Sequence, residues 1–232
     1  MKCRLCLWLC TWFCPDVSPA WDVFWEQADR WDRGHSNEYA LFSKISGEAR
    51  ERLDAATAIW PTNPDAAIRI YLDLADGGVA WAMETVACQY VQGTHVAQDF
   101  EQAAVYYRRA IEAGSWIATV RYAQLMAKLG HFDICQKTLE DGVQAGFIPA
   151  FYWLAWFRYR QSKNRRTCRE IKPLLERATA AGHPAAALLL AQMRLGGKFG
   201  LRETPQGFRE MAQIGGQVVS LTDSRQIPAA AA

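Results

Sequence analysis

The chain has 232 residues, half of them apolar, which suffices for a sizeable core and excludes wholesale disorder. Its net charge of +2 argues by itself for neither nucleic acid nor membrane. Of seven cysteines, Cys88, Cys135 and Cys168 are scattered singly, which excludes a disulfide framework in the body and favours a reducing, cytoplasmic location.

Residues 1–20 form a leader. Lys2 and Arg4, the apolar run Leu5 to Phe13, and Ser18 and Ala20 before Trp21 outline a signal peptide, which would make the protein periplasmic or secreted. The apolar run is too short to span a bilayer. A translation start set too far upstream reads equally well. Cys3, Cys6, Cys10 and Cys14 miss the spacing of a ferredoxin cluster run by one residue, and no second run completes a site.

Residues 21–63 are expected to supply amino-terminal capping helices. Trp21, Phe24, Trp25, Ala28 and Trp31 keep helical spacing up to Gly34, a stripe expected to cap the open end of a helical stack, with a partner-binding face as the alternative. A second helix is expected from about Asn37 to about Ala58, with Tyr39, Phe42, Ile45, Ala49 and Leu53 inward. Asn63-Pro64 reads as an N-cap and first position of the next helix.

From residue 64 to 215 the chain repeats. Gly78, Gly114, Gly146 and Gly182 recur at intervals of 36, 32 and 36 residues, each followed four positions on by an alanine: Ala82, Ala118, Ala150 and Ala186. A period in this range marks helical units that bury a core only when stacked. Each glycine closes the second helix of a unit, and the alanine lies where neighbouring helices touch. Ala82, Val86, Ala87 and Tyr90 mark one inward face, and Ala103, Tyr106, Tyr107 and Ala110 the next. Asp99 with Gln102 reads as a capping box. Residues 216–232 read as a disordered tail.

Residues 78–114 resemble a Sel1-like repeat, a relative of the tetratricopeptide repeat. Gly78, Ala82, Tyr90, Gly93, Val96, Asp99, Ala103, Tyr107, Ala110 and Gly114 carry the likeness, and Ala87 stands where that pattern usually has glycine. The resemblance implies an all-α, right-handed helical-repeat solenoid of antiparallel helix pairs. It also implies a non-enzymatic scaffold that binds a protein or peptide, as an adaptor or regulator in signalling or in envelope and exopolysaccharide pathways. No small-molecule substrate or cofactor is implied.

No catalytic constellation and no metal-ligand spacing emerges from the motifs. His35, His95, His131 and His183 are isolated, and no phosphate-binding or nucleophile-elbow motif occurs. On the resemblance, the first helices of the units line a concave wall, which gives Thr85, Gln89, Arg121, Trp153 and Phe157 as candidate partner-binding residues around an aromatic anchor. Leu125, Leu189 and Met193 fall in the same two rows. A second candidate is the basic run Arg158, Arg160, Lys163, Arg165, Arg166 and Arg169, which has no acid within it. It would serve membrane-surface or nucleic-acid association, or be a solvated turn.

Overall fold

The computed structural model describes residues 19–226, with side chains from 24 to 218, so the leader reading for residues 1–18 lies outside the described residues. Among them are twelve α-helices and no strand. They are α1 (Pro19–Gly34), α2 (Glu38–Phe42), α3 (Gly47–Ile59), α4 (Pro64–Asp76), α5 (Ala80–Gln92) and α6 (Phe100–Glu112). The rest are α7 (Trp116–Lys128), α8 (Phe132–Gln144), α9 (Ile148–Gln161), α10 (Arg165–Ala180), α11 (Pro184–Leu195) and α12 (Thr204–Gln226). A 3-10 turn, Leu201–Glu203, precedes α12.

The helix boundaries obey local chemistry. Asn63 accepts a hydrogen bond from the Ala66 amide at 3.1 Å, with Pro64 as the first helical residue of α4. Asp99 accepts from the Glu101 and Gln102 amides, both at 2.9 Å, to start α6. Its own amide donates to the Tyr90 carbonyl, so the cap is anchored to the preceding helix.

Gly78, Gly114, Gly146 and Gly182 all have φ between 80° and 94°. In each case the glycine and the next residue donate back to carbonyls three and five positions earlier, as in Gly78 to Ala75 and Val79 to Leu74. This left-handed closure strains any side chain, which explains the period. Gly130, between α7 and α8, makes the same turn at φ 82°, so the shortened unit replaces its long loop with a second copy of the closing device. Ala82, Ala118, Ala150 and Ala186 are wholly buried, as their place at helix contacts requires.

The described residues form two compact units. The first is Ser36–Phe147; the second joins 19–35 to 148–226. In the first, α3 through α8 each pack on the next helix, and the short α2 packs on α5. In the second, α9 through α12 pack in the same order, while α1 packs on α11 and α12. Thus α1 covers the last repeat. Its Phe24 joins Leu188 and Ala191 of α11 and Ile214 and Val218 of α12 in one core cluster.

Three expectations need correction. The single helix over 37–58 is broken at 43–46, where the Ser43 hydroxyl bonds the Ala40 carbonyl and Ser46 takes an extended conformation ahead of α3. The break turns Tyr39 outward, to 84% exposure, although Leu53 is buried as read. The last described helix runs on to Gln226 with Val218 buried, so residues 216–226 are not a disordered tail. The stripe Ile214-x3-Val218 continues through Gly215 and Gly216, two weak helix formers that hid it.

Candidate interaction surface

The first helices of the repeats are buried on nearly every side, whereas their partners α6, α8 and α10 keep a polar outer face. This closes most of the row expected to form an open wall. In the first unit Gln89, Arg121 and Leu125 are buried and Thr85 is half-buried, its hydroxyl donating to the Trp81 carbonyl at 3.0 Å. The Arg121 guanidinium donates to Oε1 of the Gln124 side chain at 3.4 Å. In the second unit Phe157, Leu189 and Met193 are buried, and half-buried Trp153 donates its indole N–H to Asp32 at 2.9 Å. A charge reversal at Arg121 would therefore place an acid in a buried site and lower stability, not only disturb a surface.

The first unit instead presents clefts along the edge made by the glycine turns. One, of about 340 Å³, lies among α2, α3 and the Gly78 turn. Phe42 and Trp81 form its aromatic wall with ring centroids 5.7 Å apart, and the Arg50 guanidinium sits 3.5 Å over the Phe42 ring. Glu38, Glu84 and Lys44 supply its charge. A second cleft, of about 380 Å³, runs from the Gly114 turn to Phe147. Trp116 and Phe147, 5.6 Å apart, line it with Tyr122 and Thr119, and Arg108, Glu112 and Asp141 stand around it.

Asn37 fixes the strip between the clefts. Its side-chain amide donates to the Gly114 carbonyl at 2.7 Å and its oxygen accepts from the Trp116 amide at 3.0 Å. One short side chain thus clamps α2 to the turn that starts α7. Trp81 and Trp116 remain 37% and 36% exposed. Both are at the start of first helices, and a tryptophan two or three residues after a helix-closing glycine is the signal that could have marked them.

The basic run occupies the α9–α10 turn. Arg160, Lys163, Arg165, Arg166 and Arg169 are exposed and Arg158 half-buried. Arg166 pairs with Glu170 at 2.9 Å, one turn along α10. Among the described residues, no group of three or more His, Cys, Asp or Glu is arranged to hold a metal ion, and no helix is long and apolar enough to cross a membrane. Cys135 is buried, and desolvation pushes its thiol up to about 12, which makes it a poor nucleophile. The charged cluster of the second unit is internally matched: buried Arg194 reaches Glu176, Glu203 and Glu210, and Lys172 bonds Glu203 at 2.6 Å.

Stacked helix pairs closed by left-handed glycines, with aromatic clefts along the turn edge, define a helical-repeat protein. No protein-family model and no curated protein matches the sequence. Solved structures do. A Sel1 repeat protein from Oxalobacter formigenes superposes with a TM-score of 0.59 at 17% identity, over 72% of this chain and 70% of that one. The c5321 protective antigen of uropathogenic Escherichia coli, which displays an SLR fold, gives 0.58 at 17% identity over 72% of this chain. This chain spans 38% of the length of that antigen. MamA from Desulfovibrio magneticus RS-1 gives 0.50 at 13% identity, over 78% and 99% of the two chains. The chain has the Sel1-like repeat fold, as residues 78–114 led one to expect.

Proposed function

We propose that the protein is a non-enzymatic scaffold that binds another protein, an adaptor or regulator, through the turn edge of its first unit. The observation that carries this reading is the pair of half-exposed tryptophans, Trp81 and Trp116, each walling a cleft on a surface clamped by Asn37. Partly exposed aromatics beside preformed clefts are the usual anchors of protein interfaces. The repeat fold supplies the rigid backing that such a surface needs. Free, buried Cys135 and Cys168 suit a reducing compartment, and the cytoplasm is the proposed location.

Trp81→Ala and Trp116→Ala, singly and together, test this. Each should weaken capture of the native partner by about tenfold or more while circular dichroism stays unchanged. Undiminished capture by the double variant would remove the turn edge as the interface.

A second reading rests on the exposure of five basic side chains in the α9–α10 turn. Association with anionic vesicles or RNA through that turn should fall steeply with added salt. Absence of binding at low salt would dismiss it.

A further inference from the structure

We infer that α1 is a cis-acting ligand helix seated in a helix-binding groove of the second unit, and that the groove accepts an amphipathic partner helix bearing the same stripe. Three observations converge on this. First, α9 to α12 each pack on their neighbour in sequence, but α1 is separated from them along the chain by the whole 36–147 segment. Second, α1 is held along a narrow line. From residue 24 to 34 its buried residues are Phe24, Ala28 and Asp32, spaced i, i+4 and i+8, whereas α11 buries residues on every side. That stripe is one an amphipathic helix can lay into a groove.

Third, the groove has a polar recognition end. Asp32 is 5% exposed. One carboxylate oxygen accepts from the Trp153 indole at 2.9 Å, and the other lies 3.0 Å from Nε2 of His183. The alignment of the second contact falls short of a full hydrogen bond, so it is chiefly electrostatic. His183 is itself held: its Nδ1 accepts from the Ala186 amide at the start of α11, which leaves the proton on Nε2, towards the acid. Its ring lies between Trp31 and Tyr152, at 4.8 and 4.6 Å between centroids. Apolar floor and polar end together specify a helix with an aromatic residue, a small residue four on, an aromatic seven on and a carboxylate eight on. A hydrophobic helix lacking the acid would leave the Trp153 N–H buried without an acceptor, so the carboxylate selects.

Two measurements test the inference, with a synthetic peptide of residues 19–35 as the probe. In native-state hydrogen exchange of the unaltered full chain, the amides of α1 should exchange ahead of those of α9 and α11, by about tenfold or more, because α1 opens alone. Exchange of α1 at the rate of α9 and α11 would overturn it. In the second, the full chain carrying Asp32→Ala should bind the labelled wild-type peptide saturably, and a peptide with Asp32→Ala about tenfold more weakly or worse. Equal binding of the two peptides, or none by a folded chain, would also overturn it. Should the variant chain fail to fold, the exchange measurement decides alone.

Discussion

Gly207 gives the sharpest test of how the last two helices meet. It is buried in α12, and a Cβ added there would sit against the backbone nitrogen of Leu195, 2.8 Å from Arg194 Cβ and 2.9 Å from the Ala191 carbonyl oxygen. Two of these neighbours are backbone atoms of α11, so no rotamer change relieves the clash and the helices must part. Overpacking of this kind costs about 1–3 kcal/mol. Alanine's helix propensity returns about 1 kcal/mol, so Gly207→Ala should destabilise by up to roughly 2 kcal/mol, a fall of up to about 8 °C in melting temperature for a chain of this size. Gly215 and Gly216 lie in the same helix with nothing near their Cβ positions. There the same substitution should stabilise by about 0.5–1 kcal/mol. Thermal and urea unfolding of the three variants would show opposite signs within one helix. Stabilisation by Gly207→Ala matching that of Gly215→Ala would refute the claimed close approach.

Buried groups lead to three further outcomes. Burial raises the Cys135 thiol to about 12 from 9.0, so above pH 9 the unfolded chain loses a proton that the folded one keeps. Stability should fall with a slope of up to about 1.4 kcal/mol per pH unit from that site, and Cys135→Ala should flatten the slope in urea titrations. Lys172, and then Arg194, hold the Glu203 carboxyl below its usual range against some desolvation. The stability it contributes is present above the ordinary carboxylate range and lost as pH falls through the depressed value. Lys172→Met should therefore shrink the loss of stability on acidification, measured by thermal scans at stepped pH. Asp32→Ala removes the acceptor of the Trp153 indole and should cost about 1–3 kcal/mol. Unfolding monitored by tryptophan fluorescence would show it, and an unchanged midpoint would contradict the assigned bond.

The parts of the fold legible in the sequence are those where geometry admits few residue types. A left-handed turn favours glycine, and a helix contact with no room beyond Cβ favours alanine, so Gly78, Gly114, Gly146 and Gly182 and their following alanines announced the repeats. The Asn63-Pro64 start was equally plain. What α1 touches was not: an apolar stripe shows that a helix buries a face, never against which element. Asp32 was missed because an acid beside Arg33 resembles surface, although its spacing from Phe24 and Ala28 puts it on the buried line. The inner row of Gln89, Arg121 and Phe157 was expected on a concave wall because the resemblance placed it there, and side-chain type alone does not reveal what covers a helix. Gly207 carries no such signal, since glycine marks turns as readily as helix contacts that are too close for any side chain.

Docking of a protein partner on the turn edge of the first unit can be read out by crosslinking. A photo-reactive residue placed at Lys44, beside the Phe42–Trp81 cleft, is compared with one at Lys137 on the exposed face of α8. Position 44 should yield a discrete crosslinked partner that is lost with Trp81→Ala, and position 137 should yield none. Crosslinking from 137 alone, or from 44 regardless of Trp81, would contradict docking at this edge.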